Sequence, residues 1–548
     1  EKVVIEAGKT TTLPDIVLKS AGIKFESRII TSAEDNIQPG VSNSHQSISM
    51  NMGSGKGAYP GSQYEAFLPP GFNTEEYDAI TPNIFHSPFV QPLSTFSIDV
   101  DTATYSNIRR MLNGGQLPQA NAIRTEELLN YFSYDYPQPK GELPFSVYTE
   151  MGVNPWNQKR NLVHIGIQGK KMDMDKAPPS NLVFLLDVSG SMEAYNKLPL
   201  VRQSMKLLVE NLRPNDRVAI VVYAGAAGLV LPPTSGEEKG KILAAIDNLS
   251  AGGSTAGGAG IMLAYKTAEE SFVKGGNNRI ILCTDGDFNI GVSSTADMQA
   301  LIEKNRNKGI FLTVLGYGMG NYKDNRLETL ADKGNGNYAY IDDINEAKKV
   351  LVNEMGATLF TIAKDVKIQV EFNPAHVKAY RLIGYENRML RSEDFIDDTK
   401  DAGELGAGHS VTAIYEIIPA GSKESFAYLD SLKYQSFTVS EEAKKSPELM
   451  TVKLRYKQPD KDESVEIATP VYNKTLGMED VSQTFLFAAS VAAYAMMLQN
   501  SEHKGALTWD MVGKLAKDNM GADAEGYRKE FLVLIKKAAK LSKNTRPD

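Results

Sequence analysis

Cysteine is almost missing from this chain of 548 residues: Cys283 stands alone, so no disulfide can form within it. A small disulfide-held scaffold is excluded, while the compartment stays open, because many exported bacterial proteins carry few cysteines. Long apolar runs are missing too. No stretch reaches the roughly 18 apolar residues of a membrane span. The nearest approach, Phe485 to Leu498, is too short and too rich in alanine. Nor is there an excess of positive charge. Lys and Arg number 59 against 67 Asp and Glu, a net charge of −8, with no basic patch, which argues against a nucleic-acid partner. Histidine is sparse. His45, His86, His164, His376, His409 and His503 are scattered, and no two stand at zinc-binding spacing.

What is present is a globular composition, 42% hydrophobic and 23% charged, in a chain long enough for two to four domains. Residues 1–32 read as strands and resemble the tail of a carboxypeptidase-regulatory-like β-sandwich. Residues 33–82, rich in Ser, Gly, Asn, Gln and Pro, read as a linker. Gly53-Ser54-Gly55-Lys56-Gly57 within it lacks both the preceding strand and the hydroxyl residue that a phosphate loop needs. Residues 83–178 mix helices and strands, and Asp99 and Asp101 are expected to cap a helix starting near Ala103. Residues 363–475 return to strands, which with 143–170 could form one sandwich, and 476–548 read as helical. Glu1 in place of a methionine raises the expectation of a signal or lipoprotein leader removed upstream, and with it a lipid anchor.

Between 179 and 362 strands and helices alternate. Strands are expected over Leu182–Leu186, Arg217–Tyr223, Arg279–Thr284, Phe311–Tyr317 and Asn337–Ile341. Helices are expected over Lys197–Leu212, Lys239–Leu249, Ala259–Lys274, Thr295–Lys308, Asn325–Lys333 and Asn345–Leu359. Such alternation predicts an α/β fold, a doubly wound and mostly parallel sheet. Ligands of such sheets bind at the carboxyl ends of the strands.

Three loops leave those ends with oxygen donors. Asp187-Val188-Ser189-Gly190-Ser191 follows the first strand, Gly252-Gly253-Ser254-Thr255 follows a helix, and Thr284-Asp285-Gly286-Asp287 closes a later strand. Carboxylates and hydroxyls are hard ligands that suit Mg²⁺, with Ca²⁺ or Mn²⁺ as alternatives, rather than zinc or copper. Asp287 reads as a solvated neighbour and Cys283 as a small buried hydrophobe.

This constellation resembles the von Willebrand factor type A domain with its metal-ion-dependent adhesion site. The family's Asp-x-Ser-x-Ser falls on Asp187, Ser189 and Ser191, its threonine on Thr255 and its second aspartate on Asp285. The segment Ser97 to Asn107 with Ile123-Arg124 and Glu126-Glu127 resembles a companion segment of one bacterial group. The region after 365 resembles that group's C-terminal domain of unknown function.

The resemblance implies a divalent cation with one exchangeable position, filled by an Asp or Glu carboxylate of a protein partner. A serine-hydrolase elbow fails at Ser189, whose neighbours are Asp187 and Ser191 instead of glycines, so the expectation is a non-enzymatic binding protein. It is placed in the periplasm or at the cell surface, with the cytoplasm as the lesser choice. An intracellular assembly factor working with an ATPase and a Mg²⁺-dependent hydrolase are the alternatives.

Overall fold

A computed structural model describes residues 75, 77, 79–253, 257–286, 295–319, 323–425 and 438–544. The expected sandwich remnant over 1–32, the glycine-rich 53–57 and nearly all of the linker over 33–82 lie outside the described residues.

The first described stretch holds β1 (Leu93–Ser97), α1 (Ala103–Asn113), α2 (Thr125–Asn130), β2 (Phe145–Val153) and β3 (Asn161–Gly169). The α/β unit follows. Its strands are β4 (Ser180–Asp187), β5 (Arg217–Tyr223), β6 (Ala227–Ser235), β7 (Asn277–Thr284), β8 (Ile310–Tyr317) and β9 (Tyr338–Ile341). Its helices are α3 (Leu198–Glu210), α4 (Lys239–Asp247), α5 (Gly257–Glu270), α6 (Thr295–Arg306), α7 (Asp324–Lys333), α8 (Ile344–Lys348) and α9 (Met355–Leu359). The last stretch contains β10 (Thr361–Phe372), β11 (Val377–Ile383), β12 (Met389–Leu390), β13 (Gly403–Gly406), β14 (Ser410–Pro419), α10 (Glu441–Lys445), β15 (Glu448–Lys457) and β16 (Ser464–Tyr472). It closes with α11 (Gln483–Leu498), α12 (Trp509–Asp518) and α13 (Tyr527–Asn544).

The α/β sheet runs β6-β5-β4-β7-β8-β9, parallel throughout except for β6, which is antiparallel to β5. Every residue of β4 is buried, because a central parallel strand is covered on both faces. Leu182, Phe184 and Leu186 pack toward α3, α4 and α8. Val183 and Leu185 pack toward α5, α6 and α7. This is the doubly wound architecture expected from the alternation, with two departures. The edge strand β6 carries Pro232 and Pro233, which remove ladder donors and mask the strand signal; they sit where the β5 pairing shifts register. The helix expected over Asn345–Leu359 is broken, with a π-helical turn over Lys349–Asn353 between α8 and α9.

The strands on either side of this unit pair with each other. One sheet runs β11-β14-β3-β2, and the other β12-β1-β10-β15-β16, with β13 added to β10. Their inner faces share one core that includes Phe96, Ile165, Ile368, Tyr415 and Val452. Strands from before and after the α/β unit thus pair within the same sheets, and that unit is an insertion between them. The helix α11 is apolar all round and buried from Phe485 to Met496. It packs with α12, α13 and the aromatic stretch Tyr131, Phe132, Tyr134 and Tyr136. Its N-cap, Ser482, is held from β2 by the Glu150 carboxylate, which accepts the Ser482 N–H at 2.7 Å. Among the described residues no helix is long and apolar enough to cross a membrane.

Candidate metal centre

Asp187 ends β4, Thr284 ends β7, the strand beside it, and Asp285 follows at once; in the ladder Leu186 faces Cys283. Both carboxylates therefore leave the carboxyl edge of the sheet at β4, where the strand order turns back on itself.

The loop after β4 folds around Asp187. One oxygen of its carboxylate, Oδ1, accepts the Ser189 N–H at 2.9 Å, and Oδ2 accepts the Thr284 hydroxyl at 3.3 Å. A 3-10 turn over Gly190–Glu193 follows, anchored by the fully buried Met192. This places the Ser189 and Ser191 hydroxyl oxygens 3.0 Å apart, Ser189 buried and Ser191 exposed. The loop ahead of α5 is pinned alongside. Gly190 donates its N–H to the Gly253 carbonyl at 3.0 Å, and Gly252 to that of Val188 at 2.7 Å. Gly253 has a φ of +85°, and a Cβ there would come within 3.2 Å of the Gly225 nitrogen. The structure thus locates Asp187, Ser189, Ser191 and Asp285 on adjoining loops, whereas Thr255, Ser254 and Asp287 lie outside the described residues.

The electrostatics favour a cation. Burial pushes the Asp187 carboxyl above its ordinary range and the like charge of Asp285 adds to this; hydrogen bonds from Ser189 and Tyr223 act in the opposite direction. Asp285 is wholly buried, and its Oδ2 accepts a hydrogen bond from the Lys197 ammonium at 2.7 Å. That lysine, just ahead of α3, was not among the residues that sequence reasoning singled out. Nothing local distinguishes it from a surface lysine; only the fold brings it to β7. Two buried carboxylates beside two close hydroxyls form a hard oxygen donor set, which fits a hard divalent cation. Asp187, Ser189, Ser191 and Asp285 would hold it, and the ion would supply a Lewis-acidic position for an anionic oxygen.

The expected capping role of Asp99 and Asp101 is corrected by the structure. The N-cap of α1 is Thr102, and it makes no side-chain capping bond. The two aspartates instead receive Arg388, whose Nε and Nη2 donate to Asp99 and Asp101 at 3.1 Å each. The same guanidinium reaches Glu328 of α7 at 2.8 Å. Asp99, Asp101 and Glu328 are close enough to suggest a second cation site, but Arg388 already supplies the positive charge. Asp101 also accepts the N–H of Tyr338 in β9 at 2.8 Å, which fixes the segment before the α/β unit to the unit itself.

His164 and His376 have structural partners. His164, buried in β3, shares a 2.6 Å hydrogen bond with the Tyr136 hydroxyl, and His376 Nε2 lies 2.8 Å from the Ser446 carbonyl. Cys283 is buried, and burial pushes its thiol upward.

Comparison with known proteins matches three regions. Residues 181–353 match the von Willebrand factor type A domain, residues 71–164 the family described as von Willebrand factor, and residues 357–541 the C-terminal region of the uncharacterized protein YfbK. The chain is 44% identical over 473 residues to uncharacterized protein YfbK of Escherichia coli K12, covering 85% of this chain and 81% of that protein. It is 28% identical over 197 residues to uncharacterized protein sll0103 of Synechocystis, 35% of this chain and 44% of that one. Among solved structures, von Willebrand factor type A from Catenulispora acidiphila is similar over 74% of this chain and 91% of that chain, at 15% identity and a TM-score of 0.38.

Proposed function

This chain belongs to the family of Escherichia coli YfbK, with a von Willebrand factor type A domain at its centre, and we propose that it is a non-enzymatic, metal-dependent protein-binding module exported to the periplasm or cell surface. Domains of this type often mediate metal-dependent protein interaction. The observation that carries the reading is the pair of hydroxyls of Ser189 and Ser191, 3.0 Å apart beside the buried Asp187. A carboxylate held by both oxygens and flanked by hydroxyls is preorganised for a hard cation.

In this reading Asp187, Ser189, Ser191, Thr255 and Asp285 form an adhesion site for Mg²⁺, with Ca²⁺ or Mn²⁺ as substitutes. The ligand is an Asp or Glu side chain of a protein partner. Holding a cation between Asp187 and Asp285 relieves their mutual repulsion, so the folded state binds metal and the unfolded chain does not. The test is the rise in melting temperature on adding MgCl₂ after EDTA treatment. The parent is stabilised by about 2.7 kcal/mol at a hundredfold excess over Kd, and Asp187→Ala and Ser189→Ala lose the effect. Equal stabilisation of parent and variants would overturn the assignment. Export is tested separately, by expressing the precursor from its native locus and fractionating the cells; recovery in the cytosol alone would exclude it.

A further inference from the structure

We infer that Lys197 is a resident cation of this site, which weakens divalent-metal binding and gives the loaded site the net positive charge that recruits an anion. The inference rests on the reading of Asp187 and Asp285 as metal-holding carboxylates.

The placement of Lys197 is unusual for a lysine. Its residue is 8% exposed, and its ammonium lies 2.7 Å from a carboxylate oxygen of Asp285, which is 0% exposed. It occupies the N-cap of α3, where the helix dipole disfavours positive charge, so the pairing with Asp285 and not the helix holds it there. The fold also builds a channel for its stem. Gly318, at φ +81°, lies flat against it; a Cβ there would come within 2.4 Å of Lys197 Cε, 2.8 Å of Cγ and 3.0 Å of Cδ. The Gly318 carbonyl is fixed in turn by the buried Tyr340 hydroxyl. Gly318 from the loop after β8, Tyr340 from β9 and Asp285 from the loop after β7 thus position one ammonium at the edge of the site.

The charge count follows. Asp187 and Asp285 alone carry two negative charges, which a divalent ion neutralises, leaving nothing to attract a carboxylate. Counting the described residues Asp187, Asp285 and Lys197, the metal-free site carries one negative charge and the loaded site one positive. The same lysine therefore opposes the entry of the metal and favours an anion once the metal is bound. A site built in this way trades metal affinity for ligand demand.

The experiment is isothermal titration of the full chain with MgCl₂, with and without sodium acetate as the anionic probe. Parent, Lys197→Met, Lys197→Gln and Lys197→Arg are compared. Removing the charge strengthens Mg²⁺ binding by on the order of tenfold, the scale of one unit charge acting on a divalent ion through water-like screening. Lys197→Arg behaves as the parent. Acetate strengthens Mg²⁺ binding in parent and Lys197→Arg but not in the two neutral variants. Lys197→Gln keeps a hydrogen-bond donor for Asp285 and covers the case in which Lys197→Met fails to fold. Any other pattern among folded variants that bind Mg²⁺ overturns the inference. If no chain binds Mg²⁺, the metal reading itself fails.

Discussion

Arg109 of α1 holds Glu346 of α8 through a 2.7 Å ion pair in which neither side chain is more than 3% exposed. The same guanidinium donates from Nε to Asp342 at 2.8 Å and from Nη1 to Glu530 of α13 at 3.0 Å. The Tyr131 hydroxyl donates to Glu346 as well, at 2.9 Å. One arginine therefore joins the segment before the α/β unit, the exit helix of that unit and the C-terminal helices. Arg109→Met strips three carboxylates of their counter-charge, two of them buried. The expected loss is about 3–5 kcal/mol, because a buried charge left alone costs more than the pair contributed. Urea denaturation measures it, and a loss below about 1 kcal/mol would show that the network is not cooperative.

His164 predicts an acid sensitivity of known sign. Burial pushes its imidazole down to about 3 from an ordinary value near 6.5. Between those values the unfolded chain binds a proton that the folded chain refuses. Stability attributable to His164 is complete above pH 6.5 and is lost as pH falls toward 3. The slope is up to about 1.4 kcal/mol per pH unit for one proton. His164→Gln removes that share, so stability curves of parent and variant converge on acidification. Parallel curves would contradict the assignment.

The junction between α9 and β13 leaves no room for a side chain. A Cβ on Gly406 would lie 1.9 Å from the Ala357 carbonyl oxygen, a backbone atom that cannot rotate away. Gly406→Ala is expected to destabilise by about 1–3 kcal/mol or more, read as a lowered melting temperature. Unchanged melting would mean that this backbone contact relaxes freely.

Cys283 should report on global opening. It is buried on β7 next to Asp285, with its thiol raised by burial, so thiolate is scarce and access is blocked. A thiol reagent such as Ellman's is expected to react only at the rate of unfolding and to accelerate with urea. Fast labelling of the native chain would show that β7 opens locally.

Much of the α/β unit is legible in the sequence because its signals are local. The run Leu182–Leu186 followed by Asp187, and the run Arg279–Thr284 followed by Asp285, mark buried parallel strands ending in acidic loops. What escaped depends on distant partners. Asp99 and Asp101 look like helix caps from their neighbours, and only Arg388, nearly three hundred residues away, reveals them as an arginine clasp. Lys197 looks like any lysine until α3 and β7 are packed together. Strand β6 is hidden by its prolines, and the π turn after Lys348 leaves no mark in an amphipathic helix whose period merely shifts.

The interleaving of β1 with β10 and of β3 with β14 also has a mechanical meaning. Tension applied between the segment ahead of β1 and the segment beyond β16 is borne by those antiparallel ladders. The α/β unit lies between β3 and β10 in the chain and is clamped to the frame by Asp101 on Tyr338 and by Arg109 on Glu346, so those clamps share the load with the ladders. Force applied at the end of β4 passes to the frame through the backbone at Lys170 and Phe360 and through these clamps, so the unit and the frame resist as one body.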